Sequence, residues 1–353
     1  MHGQIAELVL FDERTNPVVR AAIANDENLI VATQGRSLWI LDDLSVLHQL
    51  DAGKKSMSSI LYKPKDSYRT GGRSSSEPSK TEGANHPNGV ISHFYLKNLG
   101  DDDKVAITYT TMAGDTLASF NNTAKEKDKK LKVEKGGNTH VWNTRGEKAE
   151  TLKGMIFWAA GFNGPKAVPG SYKVHLNVNG DSQSQDFNII PDPRAEVTVA
   201  DMQKQHDFIS AINATINKAH GSIKKIRGVN KQLDAFTEQY KDNEATKDLV
   251  EKAKTMKESF GEIEKALYQT QNQSNQDPLN FPIRLTNKLA HLNRLVGMGD
   301  FPPTAQDEAV QKEMTGKIET QLKAFDAMVD SEMQEFNKAF NDLKLNYLFV
   351  EEE

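Results

Sequence analysis

The sequence predicts a multidomain chain of mixed α and β class. A β-hairpin comes first, then an immunoglobulin-like antiparallel β-sandwich, then an up-and-down four-helix bundle of long helices. Three observations carry this reading. Residues 28–43, NLIVATQGRSLWILDD, hold two apolar runs around a Gln34-Gly35-Arg36-Ser37 turn. Short β-branched and aromatic runs dominate up to Pro191-Asp192-Pro193-Arg194, and apolar residues at helical spacing dominate after it. The expected domains are 1–55, 56–193 and 194–353.

In the hairpin, Leu29, Ile30 and Val31 face Leu38, Trp39, Ile40 and Leu41 across the turn, and both runs are apolar enough to need cover on two faces. A lone hairpin is marginal in water and leaves pairing edges open. Something larger, upstream or in another chain, is therefore expected to pair with it.

Strands are expected at Ile60 to Lys63, Val90 to Leu96, Val105 to Thr110, Thr116 to Phe120, Thr139 to Thr144, Met155 to Ala159, Ser171 to Val178 and Ser184 to Ile190. Tyr172, Val174, Leu176 and Val178 alternate with polar neighbours, the period of a half-buried strand. Seven or eight short strands with turn signals such as Asn179-Gly180-Asp181 read as a sandwich. The Gly/Ser-rich stretch 70–88 reads as a long surface loop. Lys125 to Lys135 reads as an anion-binding patch or a solvated loop.

The helices follow. Ile209, Ile212, Ile216, Ala219, Ile223 and Ile226 form one stripe, continued by Val229, Leu233, Phe236 and Tyr240 after a slip beside Gly228. Thr198-Val199-Ala200-Asp201 resembles a capping box at the start. Leu249 to Leu267 makes a second helix, and Gln269 to Asp277 ends it. Pro282 suits the first turn of a third, whose inner face is Leu285, Leu289, Leu292 and Val296. Pro302-Pro303-Thr304 opens a fourth, striped from Val310 to Leu343. Single-striped helices of roughly 50 to 60 Å need one another as cover.

Composition narrows the function. The chain has 353 residues, a net charge of -5 and no cysteine. The charge argues against a nucleic-acid binder. The absence of cysteine excludes disulfides, thiolate metal sites and cysteine nucleophiles. No apolar run is long enough to span a membrane. The first residues lack the basic start and apolar core of an export signal, so an exported protein would begin upstream of Met1.

The order of elements resembles the C-terminal third of bacterial BNR-repeat or sortilin (VPS10)-type glycosyl hydrolase-like proteins. Its carriers are residues 31–50, VATQGRSLWILDDLSVLHQL; 85–96, NHPNGVISHFYL; 164–180, GPKAVPGSYKVHLNVNG; 281–292, FPIRLTNKLAHL; and 303–314, PTAQDEAVQKEM. The resemblance covers nearly the whole chain. It implies that residues 1–55 are a β-propeller blade remnant and linker, that the location is periplasmic or extracellular, and that any glycosidase acids lie in the propeller. The expected function is a non-catalytic structural and interaction region. The expected partner is the upstream propeller portion or a protein pairing with residues 28–43. The alternatives are part of a glycoside hydrolase or a carbohydrate-binding module, with glycans as ligands.

Candidate residues follow from the chemistry. Asp42 and Asp43 read as a catalytic or calcium-binding pair, or as a strand end and cap for the next turn, and Arg36 is the nearby cation. Asp101-Asp102-Asp103 reads as a calcium ligand cluster or a turn. His93 and His175 lie on expected strands and could meet across a sheet, but no zinc motif appears. Trp142, Phe157 and Trp158 read as sugar-stacking rings or as core, and adjacent Phe157 and Trp158 must diverge. No metal and no cofactor is expected.

Overall fold

The computed structural model describes residues 6–10, 19–24, 28–32, 38–41, 43–51, 53–70 and 87–345. The chain is of mixed α and β class and divides into two compact units. One comprises Met1–Gly146 with Ala167–Glu196, the other Glu147–Lys166 with Val197–Glu353. The expected loop therefore lies largely outside the described residues.

The first unit opens with a four-stranded antiparallel meander: β1 (Ala6–Leu10), β2 (Val19–Ala24), β3 (Asn28–Ala32) and β4 (Leu38–Leu41), in that order. The expected hairpin is β3 and β4, with Leu29 opposite Leu41 and Val31 opposite Trp39. It is not alone, because β2 pairs with β3 from Arg20 opposite Ala32 to Ala24 opposite Asn28. Strands β1 and β2 are alanine-containing and short, which weakens the β signal. On β4, Trp39 is 65% and Ile40 61% exposed.

A short helix, α1 (Ser45–His48), follows. Eight further strands form two sheets: β5 (Ser59–Leu61), β6 (Ser67–Arg69), β7 (Val90–Leu96), β8 (Val105–Thr111), β9 (Thr116–Asn121), β10 (Gly136–Trp142), β11 (Gly170–Val178) and β12 (Asp181–Pro191). One sheet has the order β10-β7-β5, the other β6-β12-β11-β8-β9. All pairs are antiparallel except β12 with β6. Alternate residues of β7 are buried, as period two requires. Phe94 and Trp142 from the smaller sheet share a core cluster with Tyr109, Leu176 and Phe187 from the larger. Tyr109 stacks on Trp142 at 4.5 Å between centroids and bonds Ser92 through its hydroxyl at 2.9 Å. Asn179 and Gly180, at φ 54° and 101°, make the two-residue turn between β11 and β12.

The second unit holds α2 (Val199–Tyr240), α3 (Lys247–Leu267), α4 (Leu285–Val296), α5 (Ala305–Asp330) and α6 (Glu332–Asp342). Helix α2 runs unbroken through Gly228, and its predicted isoleucine stripe is buried. The Thr198 hydroxyl accepts the Asp201 amide at 3.1 Å. A complete capping box, Thr304 with Asp307, starts α5. Two expectations are corrected. Pro282 lies outside α4, whose cap is Arg284. The expected fourth helix is two helices, separated at Ser331, where φ is -114° and ψ -78°.

The expected strand from Met155 to Ala159 is not a strand. Residues 147–166 belong to the helical unit, where helix side chains meet their peptide groups. Asn287 accepts the Trp158 amide and donates to its carbonyl, both at 2.8 Å. Asn217 accepts the Glu150 amide at 2.7 Å and the Tyr268 hydroxyl accepts that of Ile156 at 2.8 Å. Gly161 donates its amide to the Ala290 carbonyl at 2.8 Å.

That approach leaves no room for a side chain. A Cβ on Gly161 would lie 2.8 Å from Arg294 Cβ and 2.9 Å from its Cα. Gly161→Ala is expected to destabilise the protein by about 1 to 3 kcal/mol through overpacking. Gly221→Ala on α2, where a Cβ meets nothing within 4 Å, is expected to stabilise it by about 0.5 to 1 kcal/mol. Denaturant melts of both variants check the pair.

Candidate functional site

The sequence-derived candidates fall into three groups. Arg36 and Asp42 lie outside the described residues. Trp142 is 1% exposed, and its indole N–H donates to the Arg145 carbonyl at 2.8 Å, so it fills the core and offers no ring face to a sugar. Phe157 packs on Phe162, Tyr268 and His220. Trp158 is 40% exposed, so the two adjacent rings do diverge, although on irregular backbone.

Asp43 sits in a polar cluster. Its Oδ1 accepts the Ser45 amide at 2.8 Å, the turn-forming contact ahead of α1, and lies 3.2 Å from Lys65 Nζ. Its Oδ2 faces His93 Nε2 at 3.5 Å. The other ring nitrogen of His93 bonds Thr139 Oγ1 at 3.0 Å. His93 and Thr139 are direct cross-strand partners on β7 and β10. Burial works to raise the Asp43 pKa, but hydrogen bonds from Ser45 and Lys65 outweigh it and hold the carboxyl below its ordinary value.

Two clefts flank this cluster. One of about 340 Å³ is lined by Asp43, Lys65, Asp66, Tyr68 and Asn88. The Asp66 carboxylate accepts both the amide and the side-chain NH₂ of Asn188 at 3.1 Å. A larger and more apolar cleft of about 630 Å³ is lined by Val46, Leu50, Ile60, Tyr62, Lys54 and the His93–Thr139 pair. Glycoside hydrolysis needs one carboxyl kept protonated by a raised pKa, and Asp43 is shifted the other way.

The other candidates do not assemble. His93 and His175 lie in different sheets, and His175 Nε2 is bonded to Thr110 Oγ1 at 3.0 Å. Asp103 closes a turn, accepting the Gly100 amide at 2.6 Å and the Asn179 side chain at 2.8 Å. The lysine-rich stretch connects β9 to β10 and is anchored by buried Leu131. No group of three metal-ligating side chains occurs among the described residues. No helix among them is long and apolar enough to cross a membrane.

Reasoning from sequence found Asp43 but missed His93 as its partner, along with Thr139, Lys65, Asp66 and Tyr68. His93 and Thr139 both stood on expected strands. Their pairing becomes visible only once β7 and β10 are known to be neighbours in this register.

No family model matches the chain, and no curated protein matches it. A solved structure titled pT26-6p aligns at 11% identity and a TM-score of 0.11. The alignment covers 72% of this chain and 46% of that one, and a likeness at this score carries no argument about fold or function.

One half-buried group ties the first unit to pH. His140 on β10 packs on Phe120 at 4.4 Å, its Nε2 meets no hydrogen-bond partner among the described residues, and burial pushes its pKa from 6.5 down to about 4. The unfolded chain therefore takes up this proton first as pH falls. The neutral ring contributes stability above pH 6.5, and the contribution is lost between there and about pH 4. The loss is expected to be on the order of 3 kcal/mol. Thermal melts from pH 7 to pH 4 should show the fall, and His140→Phe should flatten it.

Proposed function

We propose that this chain is the C-terminal structural and interaction region of an exported β-propeller protein of the BNR or sortilin type, and that its first strands are a propeller blade. The observation that carries this reading is the four-stranded meander in the order β1-β2-β3-β4, the arrangement of a blade. Trp39 and Ile40 are consecutive on β4 and so point to opposite faces, and both are well exposed. Apolar surface on both faces suits a sheet stacked between neighbours. The blade's partners are thus the adjacent blades of a propeller.

The remaining sheets support an immunoglobulin-like sandwich, since two sheets share one core and the chain alternates between them. The helices support a bundle built on α2, α3, α4 and α5, all of which pack on one another. In this reading both act as rigid supports for the propeller. The direction of the Asp43 shift speaks against it as the general acid of a glycoside hydrolase, which must hold its proton.

The test begins with the coding sequence directly upstream. If it encodes a propeller, co-expression is expected to give a one-to-one complex or a continuous chain in which hydrogen exchange at residues 38–41 is slowed. Trp39→Asp with Ile40→Asp is expected to weaken the association roughly a hundredfold or more. Exchange at β4 that is equally fast with and without the propeller would refute the proposal.

A further inference from the structure

We propose that Thr139, His93 and Asp43 form an acyl-transfer site that opens on the adjoining apolar cleft and hydrolyses esters of short or medium apolar acyl groups. This activity goes beyond the interaction role and does not depend on it. All three residues lie in the first unit. The register of β7 and β10 sets Thr139 directly opposite His93, with Oγ1 and Nδ1 at 3.0 Å. Asp43 Oδ2 lies 3.5 Å from the other ring nitrogen. The Ser45 amide, at 2.8 Å from Oδ1, holds that carboxylate in place.

A carboxylate facing Nε2 favours the tautomer with its hydrogen there. Nδ1 is then the acceptor, and the Thr139 hydroxyl donates to it. A hydroxyl on a base, with the base held by a third group, is the arrangement that activates an alcohol for attack. Thr139 is exposed and His93 half-buried, so a substrate can reach both. The cleft of about 630 Å³ offers Val46, Leu50, Ile60 and Tyr62 to an acyl chain, and the Lys54 ammonium lines the same space.

In the step proposed, Thr139 Oγ1 bonds to the ester carbonyl carbon and its proton passes to His93 Nδ1. The carbonyl electrons move to oxygen, and the Lys54 ammonium, which donates to the Gln49 carbonyl at 2.8 Å, is the cation lining the same cleft. Collapse re-forms the carbonyl and breaks the bond to the alcohol oxygen, which leaves with the proton from His93. Water then attacks the acyl-threonine and gives a proton to His93. That proton returns to Thr139 as the carboxylic acid departs. The sum is ester and water to acid and alcohol.

Asp43 acts through His93 and is a positioning residue. The test uses the full chain with p-nitrophenyl butyrate, and a fluorophosphonate probe followed by peptide mass spectrometry. The expected result is turnover above the spontaneous rate and a probe adduct on Thr139. Thr139→Val and His93→Ala are each expected to lower the rate roughly a hundredfold or more. Asp43→Asn is expected to lower kcat roughly tenfold with KM little changed, the split that a lost positioning contact gives and a general loss of structure does not. Equal turnover by the wild type and Thr139→Val overturns the proposal, as does an adduct on another residue. If Thr139→Val does not fold, the lack of a probe adduct on Thr139 in the wild type overturns it instead.

Discussion

Residues 147–166 lie against helices with no strand of the described residues beside them, and this constraint governs much of the helical unit. Each buried amide or carbonyl left without a partner costs about 1 to 3 kcal/mol. Backbone in a sheet has its neighbour strand to meet that need, whereas here side chains must do so singly. Asn213, Asn217 and His220 fall at helical spacing on α2, beside the isoleucine stripe. Asn213 donates to the Asn163 carbonyl and accepts from Asn293, and His220 bonds the Glu150 carbonyl. On α4, Asn287 pairs with Trp158 and His291 with the Ala159 carbonyl. Four of the buried polar residues of this unit, Asn213, His220, Asn287 and Asn293, are thus bound to the course of one irregular segment. Removing either side leaves the other unsatisfied in a low-dielectric interior.

The same constraint explains what sequence reasoning could and could not see. The apolar stripes of α2, α3 and α4 were legible because burial imposes a 3.6-residue period. Strands β7, β8, β9 and β11 were legible because half-burial imposes a period of two. The polar stripe on α2 was equally present in the sequence, but a polar stripe ordinarily means solvent. Only a segment folded onto it makes Asn213 and His220 interior. Met155 to Ala159 carries a strand signal that the fold overrides, because an apolar run satisfies strand and buried-coil templates alike. The break at Ser331 left no mark either, since the apolar spacing continues across it.

The candidate site divides along the same line. Asp43 was legible as an acid at a strand end, and its turn-forming contact with Ser45 fits the residue type. His93 and Thr139 are 46 positions apart and meet only through strand register. Nothing local in the sequence specifies that β10 lies beside β7 and not beside β9, which precedes it in the chain. Function that depends on cross-strand pairs is therefore the least legible kind, whereas core positions such as Trp142 announce themselves by type.

The state of Asp43 decides between two chemistries. A general acid for glycoside cleavage must hold its proton near neutral pH, which requires burial without compensating donors. Asp43 has burial, yet the Ser45 amide and the Lys65 ammonium both stabilise its anion and win. An ionised, fixed carboxylate is what a neighbouring imidazole needs in order to hold one tautomer and to tolerate a transient positive charge. Lys65, at 3.2 Å from Oδ1, draws part of that negative charge away from His93. Asp43 is thereby better suited to orienting the ring than to raising its basicity. The contacts that disqualify it as a proton donor are the ones that make it useful as an anchor.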